Sequence, residues 1–329
     1  MRFFKIVFFL VGLILLAWVI QNLNFKEIIV LINQIGFGFI LVIGVYFIAF
    51  LFDTLTWQIT ILSAPLTPKW AYRFFQLRLS GEAFNNILPA ASIGGEPIKA
   101  IMLKNLYGFN YREGIASLVL SRTINTISLI IFLIIGFLLM INSDVLDDNY
   151  NTIAGAGLII LSLAILFFFC IQRFKVASHT STVLSKNKWF HWLNNFLHHI
   201  REVDDILVTF YKDHIKRTSY ALILALINWV LGAVEIFITM HLIGHPISLV
   251  DAWIIEAIAQ LVRTATFFIP ASIGAQEGAF LIIGSAVTGS PAIGFTMAIV
   301  RRTREIIWII WGLVVFYITN PNTEMVSKE

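Results

Sequence analysis

Pro89-Ala90-Ala91-Ser92-Ile93-Gly94-Gly95-Glu96-Pro97 lies in the first half of the chain, and Pro270-Ala271-Ser272-Ile273-Gly274-Ala275-Gln276-Glu277 lies in the second. Ala91–Gly94 and Ala271–Gly274 are the same four residues at an offset of 180. That offset, without a gap, also aligns Gly114 with Gly294 and Arg122-Thr123 with Arg302-Thr303. A proline precedes each segment, a carboxylate (Glu96, Glu277) follows it, and a glycine-containing turn then leads into a long apolar stretch that carries arginine. The repeated unit is therefore a broken hairpin, a carboxylate, a turn and an arginine-bearing span.

The setting of that unit is a bilayer. Of 329 residues, 58% are hydrophobic and 13% charged, whereas soluble domains have about a quarter of their residues charged. Six stretches, 3–20, 38–62, 113–141, 151–171, 217–243 and 291–318, approach or exceed the ~18–20 apolar residues that cross a bilayer as helix. Two more, 69–112 and 249–289, are apolar but interrupted by proline, glycine and charge. Broken backbone is tolerated at membrane depth only where protein or a water-filled cavity shields it. Each interrupted stretch is thus expected to be a hairpin of two short helices. The fold class is all-α integral membrane, with about eight helices (six full spans plus two re-entrant or broken hairpins) arranged as an inverted repeat in one domain spanning 1–329. Repeat one covers about 69–141 and repeat two about 249–318. The segment 3–20 lacks a small-residue cleavage site and reads as a retained helix.

Loop charge sets the expected orientation. The segment 172–217 carries Arg173, Lys175, Lys186, Lys188, Arg201, Lys212, Lys216 and Arg217 and reads as cytoplasmic; 142–150 is acidic and reads as external. Lys69, Arg73, Arg78 and Arg112 flank the first hairpin and place its mouth inside. Counting spans puts both termini in the cytoplasm and the protein in the cell membrane. Trp189, Leu193, Phe196, Ile200, Val203, Leu207 and Phe210 share one helical face, which predicts an amphipathic helix on the inner surface.

Charges inside spans point to function, because each costs roughly 2.5–3.5 kcal/mol at the bilayer centre unless it faces a cavity or a partner. Arg122 lies beside a stripe of Ser117, Ser121, Asn125 and Ser128; Arg301, Arg302, Arg304 and Glu305 occupy the matched depth in repeat two. Three arginines against one carboxylate leave a positive excess, and arginine's planar fork suits phosphate. Arg122 and Arg302 are the candidate lipid head-group site, with Arg301, Arg304, Lys99 and Asn125 beside them. Pro89, Ser92, Gly94, Gly95, Glu96, Pro270, Ser272, Gly274 and Glu277 form the candidate broken-helix motifs. Glu277 with Arg302 and Glu96 with Arg122 are the first candidate ion pairs. Glu82, Glu235, Glu256, Gln260 and Arg263 add polar groups to apolar helices.

The segments Gly81-Glu82-Ala83-Phe84-Asn85-Asn86-Ile87-Leu88-Pro89, Gly94-Gly95-Glu96-Pro97 and Pro270 to Gly278, each with an arginine downstream, resemble the lysylphosphatidylglycerol synthetase transmembrane-region family, also called flippase-like (UPF0104-type) domain proteins. The resemblance implies a lipid-translocating membrane domain of about eight helices, whose best-known members flip aminoacylated phosphatidylglycerol made by an attached soluble transferase. Others serve hopanoid or glycolipid pathways. Twelve residues follow Tyr317, which leaves no room for such a transferase, so lysyl transfer by this chain itself is not expected.

The leading expectation is a flippase or transporter of an anionic or aminoacylated phospholipid, or of a glycolipid- or hopanoid-type lipid. The alternative is a membrane subunit or enzyme of lipid modification, in a phosphatidylglycerol lysyltransferase-type pathway, working with a separately encoded transferase. An embedded enzyme wants a base beside a nucleophile. The spans hold no Ser–His or Cys–His cluster, and Cys170 stands alone in an apolar run. The expected partners are membrane phospholipid and that separate transferase, with no nucleic acid, no cofactor and no metal.

Overall fold

A computed structural model describes residues 23–87, 94–142, 212–267 and 269–319, together with six single positions (10, 14, 17, 21, 156 and 210). The spans expected at 3–20 and 151–171, and the amphipathic helix expected between 189 and 210, fall outside the described residues but for those single positions.

The helices are α1 (Phe25–Ile35), α2 (Phe39–Thr60), α3 (Pro68–Ile87), α4 (Gly95–Tyr107), α5 (Tyr111–Ile141), α6 (Ile215–Leu242), α7 (Leu249–Ala265), α8 (Ala275–Thr288) and α9 (Pro291–Thr319). A 3₁₀ turn at Gly36–Gly38 joins α1 to α2 as one rod of 36 residues, so the described residues form eight helical rods and no strand. The chain is an all-α membrane protein. α1–α2, α5 and α6 are apolar and long enough to cross a bilayer by composition alone. α9 has the length, 29 residues, but carries four charged side chains, and burial of that charge inside the bundle is what makes its position in a bilayer tenable. α1 was not foreseen: Ile28, Leu31 and Ile35 bury one narrow stripe of it against the bundle.

Adding 180 to α2, α3, α4 and α5 gives 219–240, 248–267, 275–287 and 291–321, each within four residues of the bounds of α6, α7, α8 and α9. The packing repeats as well. α2 lies against α6, α3 against α9, and α7 against α5, so each copy's first hairpin arm meets the other copy's long helix. Both crossings depend on a glycine. A Cβ on Gly312 of α9 would fall on the Leu79 carbonyl oxygen of α3, and one on Gly136 of α5 would lie 2.6 Å from Ala257 Cβ of α7. Partners exchanged in this way are what two copies related by a two-fold axis produce.

Two apolar clusters lie toward opposite ends of the long helices. One joins Val42, Met140, Met240, Ile254, Phe280 and Met297. The other joins Trp57, Phe74, Leu103 and Leu118. Val42 and Trp57 bracket the middle of α2, and Leu118 and Met140 bracket the middle of α5. Asp53 of α2 and Ser121, Arg122 and Asn125 of α5 lie between these brackets.

Candidate functional site

That middle zone encloses a cavity of about 300 Å³ walled by residues of α2, α3, α4, α5, α6, α7 and α9. Its size suits a small polar group rather than an entire lipid. Arg78, Lys99, Arg122, Arg263, Arg301 and Arg304 line it, and so do Asp53, Glu82, Glu96, Glu235, Glu256 and Glu305. Six basic groups face six carboxylates, which overturns the positive excess expected from α9 alone. The compensating carboxylates come from α2, α3, α4, α6 and α7, and reading along one helix does not reveal them.

Most of these charges are held in pairs. Arg301, 6% exposed, grips Glu256 through Nη2 at 2.6 Å and Nη1 at 3.2 Å, and its Nε lies 3.2 Å from Glu235. Glu235 also lies 3.2 Å from Arg304 Nε. Gln260 donates to Glu256 at 2.7 Å. Arg263 reaches Glu305 at 3.4 Å. Across the cavity Lys99 donates to Glu96 at 2.7 Å, and Arg78 pairs with Asp53. Two charged residues of the wall, Arg122 and Glu82, have no ion-pair partner among the described residues. Arg122 is exposed to the cavity, and Glu82 accepts only from Asn86 Nδ2, at 2.9 Å to its carbonyl and 3.2 Å to Oε1.

The two arginines at matched sequence positions thus have different surroundings. Arg302 does not line the cavity. Its Nε and Nη2 donate to Glu277 at 2.8 and 2.6 Å, and its Nη1 donates to Glu305 at 2.8 Å and to the Ala271 carbonyl at 3.1 Å. The expected Glu277–Arg302 pair is present. The other expected pair is not: Glu96 is engaged by Lys99, four residues from the start of α4 and on its own helix, and Arg122 comes within ion-pair distance of no carboxylate among the described residues.

Arg302 fastens the bent centre of the second hairpin. Pro270–Ser272 forms a 3₁₀ turn in which Ala271 and Ser272 have φ of 49° and 48°, and Gly274 follows at 81°. Non-glycine residues there cost of order 1–3 kcal/mol each, so neighbouring contacts must hold them. The Arg302 contact to the Ala271 carbonyl and the Gly274 N–H donating to Glu277 at 2.8 Å do so. In the first hairpin Pro89 and Ser92 lie outside the described residues. Gly94 has φ −60°, a value open to any residue. The constrained glycine is Gly95: a Cβ on it would fall on the Gly81 carbonyl oxygen, and its N–H donates to Asn85 Oδ1 at 2.7 Å.

Of the expected stripe on α5, Ser121 and Asn125 line the cavity with Arg122. Ser117 and Ser128 turn to packing instead, Ser117 accepting from Trp57 Nε1 at 3.1 Å and Ser128 donating to the Ile124 carbonyl at 2.9 Å. Arg78, expected at the hairpin mouth, is ten residues inside α3 and pairs with Asp53 of α2 within the cavity. Tyr46, Asp53 and Trp308 are cavity residues that the sequence reading missed. A carboxylate in the middle of the apolar 38–62 stretch was the available signal for Asp53.

The family described as "Lysylphosphatidylglycerol synthase TM region" matches residues 4–312 of the chain. A protein of Methanothermobacter thermautotrophicus described as "UPF0104 membrane protein" is 23% identical over 266 residues, covering 78% of this chain and 77% of that protein. No solved structure matches. With the family match running from Phe4 to Gly312 of α9, the chain belongs to the lysylphosphatidylglycerol synthase transmembrane-region family.

Proposed function

We propose that this protein moves a lipid between the leaflets of the cell membrane, binding the head group in the central cavity while the acyl chains stay in the bilayer. The observation that carries the reading is Arg122: an arginine in the wall of a polar cavity, on a helix of membrane-spanning length, with every other basic group of that wall already paired. An unpaired cation at such depth is costly unless a ligand compensates it. A phosphate does so through two parallel N–H···O bonds. Glu82, the unpaired carboxylate of the same wall, suits the amine of an aminoacylated phospholipid. The two copies enter from opposite sides, with both termini and residues 172–217 in the cytoplasm, and each copy's bent hairpin closes the cavity from one side in turn.

Reconstitution of the purified chain into vesicles with a fluorescent phosphatidylglycerol, followed by a membrane-impermeant quencher, tests the proposal. Transport is expected in wild-type vesicles. Arg122→Lys keeps charge but loses the fork, so it should slow transport by about tenfold, and Arg122→Gln should slow it further. Vesicles holding folded protein yet no faster than empty ones would overturn it. That result would favour the alternative, a membrane subunit serving a separately encoded lipid-modifying transferase.

A further inference from the structure

One end of the cavity wall has hydrogen-bonding groups that the protein itself leaves unmet. Arg78 Nε, Arg304 Nη1 and Nε, Trp308 Nε1 and Asp53 Oδ1 are buried and make no hydrogen bond among the described residues. All four residues line the cavity. They belong to one neighbourhood. Arg304 lies over the Tyr46 ring, 3.4 Å from its centroid, and Tyr46 meets Trp308 edge to face at 4.7 Å. Phe50 contacts Trp308 at 6.0 Å and lies under the Arg78 guanidinium at 5.1 Å. Asp53, one helical turn beyond Phe50, pairs with Arg78. Asp53, Arg304 and Trp308 are 7%, 2% and 3% exposed.

Buried groups of this kind are destabilising without partners, and a ligand or ordered water would meet them. The charge ledger limits which ligand. Asp53 compensates Arg78, and Glu235 lies 3.2 Å from Arg304 Nε at an angle that makes no hydrogen bond. What remains is a demand for hydrogen bonds without a demand for charge. Three side chains want an acceptor and one carboxylate oxygen wants a donor. A phosphate satisfies the first and repels the last. Hydroxyl groups do both, because each donates once and accepts twice.

Resting on the reading of the cavity as a head-group site, we infer that Asp53, Arg78, Arg304 and Trp308 form a subsite for the sugar ring of a glycosylated lipid, distinct from the phosphate contact at Arg122. Asp53 accepts from one hydroxyl, and Arg78, Arg304 and Trp308 donate to the oxygens. Tyr46 and Phe50 supply the apolar wall.

The test is native mass spectrometry of the full chain in detergent. The probes are monoglucosyl-diacylglycerol, phosphatidic acid and plain diacylglycerol with the same acyl chains, with methyl glucoside as the free sugar. Monoglucosyl-diacylglycerol should be retained at least ~25-fold over diacylglycerol, two hydrogen bonds at about fivefold each. Methyl glucoside should weaken that retention only at concentrations well above those of the lipid, which marks the ligand as a lipid rather than a soluble sugar. Trp308→Phe keeps a ring but removes the N–H, and should cut glucosyl-lipid retention about fivefold while leaving diacylglycerol unchanged. Equal retention of glucosyl lipid and diacylglycerol, or a Trp308→Phe loss of phosphatidic acid as large as that of the glucosyl lipid, would overturn the subsite. The wild-type comparison decides this even if the variant fails to fold. Glucosyl-lipid retention without any vesicle transport would sink the translocation proposal and leave the subsite. Transport with no glucosyl preference would do the reverse.

Discussion

Replacing Arg302 by glutamine is expected to unfasten the bent centre of the second hairpin. The guanidinium holds Glu277 at 2.6 Å, Glu305 at 2.8 Å and the Ala271 carbonyl at 3.1 Å. Removing one partner of a buried pair costs about 3–5 kcal/mol, because the other is left as uncompensated charge. Here the loss is smaller. Glu305 keeps Arg263 at 3.4 Å and Gln276 at 3.3 Å, Glu277 keeps the Gly274 N–H at 2.8 Å, and the Arg302 side chain is 22% exposed. We expect about 2–3 kcal/mol. Thermal unfolding in detergent, followed by near-ultraviolet circular dichroism, reads this as a midpoint lowered by several degrees. Arg302→Gln with Glu277→Gln should recover most of the loss, since a neutral pair leaves no orphan charge. Arg122→Gln should melt with the wild type, having no pair to break. If Arg302→Gln melts with the wild type and still abolishes lipid movement, Arg302 contacts the head group and the clasp is refuted.

Gly95→Ala should force α3 and α4 apart by driving a methyl group onto the Gly81 carbonyl, whereas Gly94→Ala at φ −60° should be tolerated; the yield of folded protein after detergent extraction compares them. Gly274→Val, at φ 81°, should lower the melting midpoint and slow transport, and normal values of both would show that the strained turn is dispensable. Cysteine placed at Asp147 or Lys188 in a Cys170→Ser background should label from opposite faces of the membrane. Labelling of both from one face would remove the opposed orientation of the repeats.

The helices were legible because span length and breaker residues are local signals. The stretches 38–62, 113–141, 217–243 and 291–318 correspond to α2, α5, α6 and α9 to within two residues at each end. Both interrupted stretches resolve into paired short helices at the expected places. The cavity was legible only in part. Arg122, Arg301, Arg304, Lys99 and Asn125 do line it. Their partners were not readable, because an ion pair such as Arg301 with Glu256 and Glu235 joins helices α9, α7 and α6, and hydropathy carries no information about which helices touch. Arg78 was misplaced for the same reason: beside Lys69 and Arg73 it reads as part of a basic flank, and only the Asp53 carboxylate on the neighbouring helix shows it to be interior.

The different fates of Arg122 and Arg302 do have a sequence cause, visible once the offset is applied residue by residue. Arg302 is held by Glu277 and Glu305. Subtracting 180 from these carboxylates gives positions 97 and 125, and the chain has Pro97 and Asn125 there. The first copy kept the arginine and lacks both acids that would tie it down. Glu96, one step out of register, is engaged by Lys99, and Asn125 has no charge to offer. An arginine inherited with its helix but without its counter-ions is expensive to keep at membrane depth. In the proposed function a lipid phosphate compensates it. Placing the acid back, as Asn125→Glu, should therefore lock Arg122 in the manner of Arg302. The variant should melt higher than the wild type and move phosphatidylglycerol more slowly. If it melts higher with transport unchanged, Arg122 does not touch the head group.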